Sequence, residues 1–258
     1  MILIKLNDFR IARFAISLKA GRDGLELPVY KGSTLRGGFG SAFKQIVCRE
    51  KTQPCTECIV KDVCPYCIAF ESMPTENSEW KGDAIPRPFV IEPPLCKKTY
   101  FPSGATITFG LVLFGKVISF LPYFVAAFRH LGCIGIGKGR RPFVLQEVMS
   151  IDENGDSVEV LYRDGSNVKN FPFIINGERV IAQIPPECQE IRIVFETMTR
   201  IRVNQSLTME LSFQTLYRNL LRRISALTNF YHDEPLEFSY RDMIEISSGI
   251  STKDSKLK

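Results

Sequence analysis

The segment LGCIGIGKGRRPF, residues 131–143, decides the fold, because the chain changes from a helical to a strand-like pattern across it. Upstream, four apolar residues recur three or four positions apart, as they do on one face of a helix: Phe120, Phe124, Ala127 and Leu131. Downstream, RPFVLQEVMSI alternates apolar and polar residues and predicts a strand over residues 142–151. Four glycines and three basic residues crowd the connection from Gly132 to Arg141.

This glycine-rich loop fully matches neither of two nucleotide-phosphate motifs. A Walker A reading aligns Gly132, Gly137 and Lys138, but Gly139 stands where a Ser or Thr hydroxyl must meet magnesium. A dinucleotide fingerprint fails at Arg140, whose side chain bars the close packing that a small residue allows. Both motifs also lie between a strand and a helix N-terminus, whereas the order here is helix, loop, strand. A nucleotide-binding enzyme that uses the loop at 132–141 is kept as an alternative.

The basic residues of the loop are candidates for contact with nucleic acid. Glycines let the backbone approach a ligand closely, and lysine and arginine can grip phosphates or stack on bases. Lys138, Arg140 and Arg141 are therefore predicted to contact RNA, and the alternative is a solvated turn.

Composition restricts the class of protein and its location. The chain has 258 residues and 45% apolar content, enough for one large domain or two of ordinary size. No run of eighteen apolar residues occurs, so the sequence predicts no membrane span or membrane partner, no secretory signal and a cytoplasmic location. The net charge of +5, with a pI near 8.7, permits a polyanionic partner.

Four of the eight cysteines have the spacing of a metal site. The stretch CTECIVKDVCPYC contains two CxxC pairs, Cys55 with Cys58 and Cys64 with Cys67. Each pair can direct two thiolates to one tetrahedral ion, and a closed four-thiolate site stabilises a loop without catalysing a reaction. Structural zinc is predicted here, with an iron–sulfur cluster, a redox pair or no bound group as alternatives. The other cysteines are expected to be small core residues: Cys48, Cys96, Cys133 and Cys188.

Patterns on both sides of the loop give the order β-α-β-β-α-β. FRIARFAISLKAG predicts the first strand, and GSTLRGGFGSAFKQIVC predicts a helix with Ser33 as its N-cap and Ile46 on its inner face. PRPFVIEP and ATITFGLVLFG predict two more strands before the helix and strand that flank the loop. We therefore expect an α+β fold, with a ferredoxin-like domain over residues 1–160 and a Cys-rich, zinc-binding insert at 50–70.

The second half of the chain repeats only the start of this order. DSVEVLYRD and ERVIAQIP predict a pair of strands, and residues 161–187 are assigned to the connection. CQEIRIVFETMTRIRVN predicts a strand from Cys188, and LTMELSFQTLYRNLLRRISALTNFY predicts a long helix with Leu220 on its apolar stripe. Residues 188–258 are expected to form a partial second ferredoxin-like unit, because few residues follow that helix.

Together these motifs resemble those of the CRISPR-associated RAMP proteins. The likeness rests on GIGKGRRPF, LRGGFGSAF, the CxxC insert, PRPFVIEPP and FETMTRIRV, and it covers about residues 9–231. More narrowly, the chain is similar to the endoribonuclease branch that processes precursor CRISPR RNA in antiviral defence. The resemblance implies tandem ferredoxin-like domains that bind CRISPR repeat RNA and cut it without a metal, leaving a 2′,3′-cyclic phosphate.

The resemblance also implies a truncated C-terminal domain, because no second glycine-rich loop follows Tyr231. Members of this branch commonly carry a catalytic histidine on or near the first helix, and Ser41 stands about there in this sequence. The alternative is a non-catalytic RAMP subunit that holds CRISPR RNA in an effector complex with other CRISPR-associated proteins.

Further candidates lie close to the loop and on the first helix. His130 directly precedes the loop and is a candidate general base toward a 2′-hydroxyl, with a structural role as the alternative. Arg36 and Lys44 lie eight residues apart on one helix face and are candidates for RNA contact, or else belong to a solvated face. Three glycines on this helix predict close approach by RNA or by another helix: Gly37, Gly38 and Gly40.

The end of the long helix carries the second histidine and a basic patch. His232 is expected to cap the helix C-terminus, where the helix dipole favours a positive charge. Arg218, Arg222 and Arg223 are expected to form a solvated face.

Overall fold

The computed structural model gives the chain the mixed α+β architecture that the sequence predicts. It describes residues 8–50, 53–72, 85–185, 187–203, 206–208, 211–234 and 239–256. The strands are β1 Ile11–Ala20, β2 Leu25–Glu26, β3 Phe89–Glu92, β4 Tyr100–Phe101, β5 Thr106–Phe114, β6 Phe143–Ile151, β7 Ser157–Arg163, β8 Arg202–Val203 and β9 Ser206–Leu207. The α-helices are α1 Gly32–Val47, α2 Pro65–Phe70, α3 Leu121–Ile134, α4 Gly177–Ile181, α5 Phe213–Tyr231 and α6 Tyr240–Ser248. Two 3₁₀ segments are Cys55–Glu57 and Gly115–Phe120.

Five strands form one antiparallel sheet in the order β3-β5-β1-β6-β7. β1 lies at its centre, where Ile16 is opposite Phe109 of β5 on one side and Val148 of β6 on the other. The chain passes from β1 to β3 through α1 and from β5 to β6 through α3. The two-residue strands β2 and β4 pair with each other outside this sheet.

Helices α1 and α3 pack together over one face of the sheet. Alternate residues of β1, such as Phe14 and Ile16, are buried beneath them. Phe39 of α1 stacks on Phe124 and Phe128 of α3, with ring centroids 5.1 and 4.4 Å apart. This aromatic contact fixes the two helices relative to each other, and therefore fixes the connection that follows α3.

Helix α1 starts earlier than predicted. Its N-cap is Lys31, which makes no side-chain capping bond, and Ser33 lies inside the first turn. The Lys31 side chain is fully buried, and its Nζ donates to the carbonyls of Val29 at 3.1 Å and Cys96 at 2.7 Å. These bonds anchor the helix start, so the predicted Ser33 cap is wrong. The prediction that Ile46 faces inward is also wrong, because its side chain is exposed.

The 3₁₀ segment Gly115–Phe120 and α3 form a continuous helical stretch of 20 residues with a mean hydropathy of 1.5. By length and composition alone, this stretch is apolar enough to cross a membrane. Its buried residues, such as Phe124 and Phe128, pack against α1 and the sheet, as those of a core helix do.

Two predicted strands of the second half are absent from the described structure. The segment at 178–185 contains α4, because the Asn176 side chain caps this helix by accepting a hydrogen bond from the Arg179 N–H at 3.1 Å. Residues 187–201 form neither helix nor strand, and only the short pair β8–β9 follows. Asn204 of the predicted strand lies outside the described residues. An alternating pattern forms a strand only where a neighbouring strand is available to pair.

Helix α5 lies where the sequence predicts it, with Ser212 as its N-cap. Its buried face is shifted, because Leu221 is buried while Leu220, predicted to face inward, is 49% exposed. The C-terminal end of α5 is fastened to the chain before β1. The Arg10 N–H donates to His232 Nε2 at 2.9 Å, and His232 Nδ1 lies 3.2 Å from the Leu227 carbonyl oxygen.

His232 is the C-cap of α5, but it is not the cation that the dipole argument predicts. Burial lowers the pKa of His232, although hydrogen bonds to the backbone of Leu227 and Arg10 partly oppose that effect. Nε2 also lies 3.2 Å from the Arg10 carbonyl oxygen, a contact that requires a proton on Nε2. The shorter bond, in which Nε2 accepts from the Arg10 N–H, favours the neutral ring with its proton on Nδ1. Burial therefore outweighs the helix dipole at this position.

Candidate nucleic-acid interface

Residues 136–141 form a tight hairpin between α3 and β6. Ile136 and Arg141 exchange backbone hydrogen bonds of 3.0 and 3.1 Å. Helix α3 ends at Gly135, which has a φ of 87° and whose N–H donates to the Leu131 carbonyl at 2.7 Å. The order is helix, hairpin, strand, so this connection lacks the strand-to-helix context of both nucleotide-phosphate motifs.

Most glycines of this connection serve the packing of the chain. A Cβ at Gly132 would clash with the Phe143 carbonyl, and a Cβ at Gly137 would clash with the Glu26 carbonyl. Gly137 also has a φ of 72°, in the left-handed region. Gly139, with a φ of 76°, has open space around it. Packing of the chain therefore accounts for Gly132 and Gly137. The prediction that a glycine serves the approach of a ligand remains open at Gly139.

Glu26 of β2 pairs with two of the three basic residues. Its Oε1 lies 3.2 Å from Lys138 Nζ, and its Oε2 lies 3.5 Å from Arg141 Nη2. The Lys138 N–H also donates to the Glu26 carbonyl at 3.0 Å. Arg140 has no ion pair among the described residues and stands exposed at the hairpin tip with a φ of 48°. The hairpin thus presents one free cation and two that share a carboxylate.

Two lysines that the sequence analysis missed extend this positive surface. Lys97 and Lys98 are exposed beside β4, which pairs with β2 directly under the hairpin, and neither is in an ion pair among the described residues. Tyr100 of β4 is 51% exposed beside them. The adjacent basic pair and aromatic residue in CKKTYF could have signalled the site, but only the β2–β4 pairing brings them to the hairpin. We call this surface the basic face: Lys97, Lys98, Lys138, Arg140 and Arg141.

The buried Lys31 holds the segment that carries Lys97 and Lys98. Its Nζ donates to the carbonyl of Cys96, the residue directly before Lys97, and lies 5.9 Å from the centre of the Phe101 ring. Beside it, the Leu27 N–H donates to the Thr99 carbonyl at 2.8 Å. The start of α1 therefore positions this side of the basic face.

His130 lies on α3 and faces α1. Its Nε2 lies 3.0 Å from Gln45 Oε1, and Gln45 Nε2 donates to Ser41 Oγ at 3.3 Å. A ring that donates from Nε2 to this amide oxygen leaves Nδ1 as its acceptor in the neutral form. Gln45 thus links His130 to Ser41.

Arg36 and Lys44 share a face of α1, as their spacing predicts, but this face looks toward α2. The Lys44 ammonium lies 5.3 Å from the centre of the Tyr66 ring. Gly40, halfway between them, would place a Cβ 3.2 Å from the Phe70 ring. Gly38 instead touches Leu131 next to the hairpin. The structure therefore separates Arg36 and Lys44 from the basic face.

The glycines of α1 differ in their surroundings. The side chains of Leu131 and Phe70 approach α1 closely at Gly38 and Gly40, respectively. The close approach predicted at these two glycines is therefore made by side chains of the same chain. Gly37 has no atom within 4 Å of a Cβ position and is exposed.

One insert cysteine, Cys67, interacts with two of the other three. Cys67 is buried at 5% exposure, and its thiol makes hydrogen bonds with Cys55 and Cys64. Burial, followed by these two thiols, raises the pKa of Cys67. Cys58 is half-buried, and its N–H donates to the Cys55 carbonyl at 3.3 Å. Residues 51 and 52 of the predicted insert lie outside the described residues.

These contacts do not by themselves make a metal-binding group. Within the described part of the chain, no three His, Cys, Asp or Glu side chains are placed so that they could hold an ion as they stand. Pairwise contacts through Cys67 bring the sulfurs together without arranging them around one centre. The expectation that the remaining cysteines are core residues is wrong for Cys96, Cys133 and Cys188, which are exposed.

Comparison with known proteins identifies the family of the sheet-bearing part of the chain. A family model described as AF_1859_N, N-terminal domain, matches residues 9–173. This chain belongs to that family. The matched region contains the whole five-stranded sheet, α1, α3 and the hairpin, so the AF_1859_N domain includes the basic face.

This AF_1859_N protein has a relative in an archaeon. An uncharacterized protein of Archaeoglobus fulgidus is 26% identical to it over 197 residues, which cover 76% of this chain. The same residues cover 63% of the relative, so the chain matches less than two thirds of that protein's length.

Proposed function

We propose that this protein binds CRISPR repeat RNA as a RAMP protein of the repeat-processing endoribonuclease type. The observation that carries the proposal is the basic face, where exposed cations without carboxylate partners flank an exposed tyrosine. Single-stranded RNA is recognised by such a combination, because cations contact its phosphates while aromatic rings stack on its unpaired bases. Lys97, Lys98 and Arg140 supply cations that have no carboxylate partner among the described residues, and Tyr100 supplies the ring. The Lys98 ammonium lies 5.1 Å from the centre of the Phe101 ring.

The strained backbone of Arg140 supports this assignment. Arg140 is the non-glycine residue with positive φ in the described part of the chain. A left-handed conformation costs an L-residue roughly 1–2 kcal/mol, and glycine would avoid that cost. An exposed arginine kept at such a position, at the tip of a hairpin and free of ion pairs, is suited to contact a ligand.

The sheet topology supports the ferredoxin-like part of the proposal. If α2 and the small second sheet of β2 and β4 are set aside, the order from β1 to β6 is β1-α1-β3-β5-α3-β6, the β-α-β-β-α-β order of that fold. The sheet places β1 between β5 and β6, as expected when each helix crosses over the same face. β7 extends the sheet beyond this unit.

If the protein cuts its RNA, we propose His130 as the general base. Nδ1, left free by the bond from Nε2 to Gln45, takes the proton of a 2′-hydroxyl. The 2′-oxygen attacks the adjacent phosphorus, the bond from phosphorus to the 5′-oxygen breaks, and that oxygen takes a proton from water. The products are a 2′,3′-cyclic phosphate and a 5′-hydroxyl, and no metal takes part. Gln45 then acts as a positioning residue that orients the ring.

A non-catalytic RAMP subunit of an effector complex is the second candidate, favoured by the placement of the histidines. The sequence has two, and neither lies on the basic face: His130 faces α1, and His232 is fastened to Arg10. Such a subunit would hold CRISPR RNA through the same cations and associate with other CRISPR-associated proteins. Both candidates act in the cytoplasm.

We propose further that the insert binds one structural zinc ion. Cys55 and Cys64 each interact with Cys67, and Cys58 follows Cys55 in a tight turn. Zinc would replace the thiol protons and draw all four sulfurs to one centre, stabilising α2 against α1.

Incubation with labelled RNA tests the RNA function. The protein is mixed with a CRISPR repeat RNA, or with a scrambled RNA of equal length, in magnesium-free buffer containing EDTA, and circular dichroism checks that it stays folded. We expect preferential binding of the repeat, with cleavage to a cyclic phosphate if the protein is an enzyme. Loss of cleavage in His130→Ala with binding retained would support the base assignment. Failure to bind either RNA would overturn the proposed function.

A further inference from the structure

Three arginines from three parts of the chain gather beside the end of α2. They are Arg36 of α1, Arg87 before β3 and Arg223 of α5, and none forms an ion pair with a carboxylate among the described residues. Their positive charges act on one another: those of Arg87 and Arg223 both reach Arg36. Gly38 of α1 faces the hairpin, and Arg36, two residues earlier, lies about 200° around the helix from it. The arginine cluster is therefore separate from the basic face.

Packing around Phe70 fixes two members of the cluster. Arg87 Nε donates to the Phe70 carbonyl at 3.3 Å, and the Arg87 guanidinium lies 5.6 Å from the centre of the Phe70 ring. On the other side, Gly40 contacts the same ring, and Arg36 stands one helical turn before Gly40. Arg36 and Arg87 therefore flank the last residue of α2.

Helix α5 supplies the third arginine and is itself hydrogen-bonded near the end of α2. The Tyr231 hydroxyl bonds to Ser72 Oγ at 2.8 Å, two residues beyond the end of α2. Arg223 precedes Tyr231 by eight residues, about 12 Å along the α5 axis and about 80° around it. The charge of Arg223 acts on Arg36, which places the two guanidinium groups near each other. Protein atoms that cover part of each side chain lower the pKa of Arg223 and of Arg36, and the charges of Arg87 and Arg223 lower the pKa of Arg36 further.

The cluster retains its positive charge despite an acidic neighbour. Glu71 lies next to Phe70, but its Oε1 accepts a hydrogen bond from the Tyr66 hydroxyl at 3.2 Å, and it pairs with none of the three arginines. Folding thus gathers three like charges without compensation from the described residues, and a bound anion would relieve their repulsion. Arg36 and Arg223 are exposed, so an anion can reach them from solvent.

We propose that Arg36, Arg87 and Arg223 form a binding site for a phosphate monoester. A terminal phosphate carries a charge of about −1.5 to −2 near neutral pH, which suits three guanidinium groups better than the single charge of an internal phosphodiester. Guanidinium groups also present paired N–H donors that match phosphate oxygens. The ligand is either a free phosphate compound or the phosphorylated end of an RNA. This inference is independent of the proposed function of the basic face.

Thermal unfolding in inorganic phosphate tests the site. Wild-type protein is compared with the double variant Arg36→Gln, Arg223→Gln, which removes two charges and leaves the bond from Arg87 to Phe70 in place. Phosphate should raise the Tm of the wild type above its value in sodium chloride of equal ionic strength, because a ligand that binds the folded state stabilises it. The double variant should lose this phosphate-specific rise and should be at least as stable as the wild type without phosphate. The control double variant Arg49→Gln, Arg218→Gln, at exposed positions outside the cluster, should keep the rise.

Two RNA arms identify the source of the phosphate. The same oligonucleotide is offered with a 5′-phosphate or a 5′-hydroxyl. If the site takes RNA ends, the phosphorylated form should bind wild type about tenfold more tightly, as expected for one charge-assisted contact, and the double variant should not distinguish the two forms. Equal binding of both forms, with the phosphate-specific rise in Tm retained, assigns the site to free phosphate compounds. An equal rise in the wild type and the double variant, or no rise in either, overturns the proposal.

Discussion

Glu26 and Arg141 form an ion pair across the base of the hairpin, with Oε2 and Nη2 3.5 Å apart, and the same carboxylate holds Lys138 at 3.2 Å. A phosphate that binds Lys138 or Arg141 must therefore compete with Glu26. Exposed ion pairs contribute only about 0–1 kcal/mol, so an RNA backbone can displace this carboxylate.

The variant Glu26→Gln should bind RNA several-fold more tightly than the wild type. It removes the competing charge and leaves the Glu26 carbonyl that accepts from the Lys138 N–H. Asp23→Asn is the matched control, because it makes the same change in net charge nearby, while Asp23 contacts Arg141 only through its carbonyl, at 2.9 Å. Fluorescence anisotropy with labelled RNA measures the effect. Equal gains in the two variants would show that net charge alone matters.

Substitution of two hairpin glycines should separate steric clash from backbone strain. Gly139→Ala places a methyl group in open space and should lower the free energy of unfolding by about 1–2 kcal/mol, the cost of a left-handed alanine. Gly137→Ala adds a clash with the Glu26 carbonyl and should cost clearly more. Urea unfolding of both variants gives the comparison. Equal losses would mean that Gly137 does not pack against β2 as described.

The protein should lose stability below about pH 6.5 through His232. Its pKa is lowered in the folded state by burial, so on acidification the unfolded chain takes up the proton first. The contribution of His232 is therefore complete above its ordinary pKa of 6.5 and decreases as the pH falls from there through the folded value. His232→Gln should show a weaker decrease in the free energy of unfolding between pH 7.5 and pH 5.5. A decrease in His232→Gln equal to that of the wild type would contradict the assignment to His232.

Purified protein should contain one zinc ion per chain, bound by the insert cysteines. Elemental analysis should show that Cys55→Ser with Cys58→Ser abolishes the metal content, whereas Cys133→Ser, at an exposed position on α3, leaves it intact. A brown preparation that contains iron would replace zinc with a cluster. Full zinc content in the double variant would contradict the site.

The main sheet and its two covering helices could be predicted from sequence, because each has a strong hydrophobic period. β1, β5 and β6 alternate with period two, and α1 and α3 repeat every three to four residues. The same rule failed where tertiary context decides. The capping side chain of Asn176 turns a predicted strand into α4, and the alternating pattern after Cys188 finds no strand to pair with among the described residues.

The candidate site was predictable only in part. The hairpin cations are adjacent in sequence, so their clustering was visible. Lys97 and Lys98 lie about 40 residues earlier in the sequence, and only the pairing of β2 with β4 brings them to the hairpin cations. Each of these strands has two paired residues, too few to show a hydrophobic period in the sequence. The pairing of Glu26 with Lys138 likewise joins residues 112 positions apart. Such contacts depend on how the chain folds back, which local patterns do not encode.

The salt dependence of RNA binding tests the central claim, that the basic face contacts RNA phosphates, most directly. Dissociation constants for a single-stranded repeat RNA are measured at several salt concentrations for the wild type and for Lys97→Gln, Lys98→Gln, Arg140→Gln. The control is Arg192→Gln, Arg200→Gln, Arg218→Gln, which removes three exposed positive charges elsewhere. Each lost phosphate contact should reduce the slope of log K against log salt by about 0.7, so we predict weaker binding and a slope smaller by about 2 in the first variant only. An unchanged affinity and slope in that variant would contradict the account.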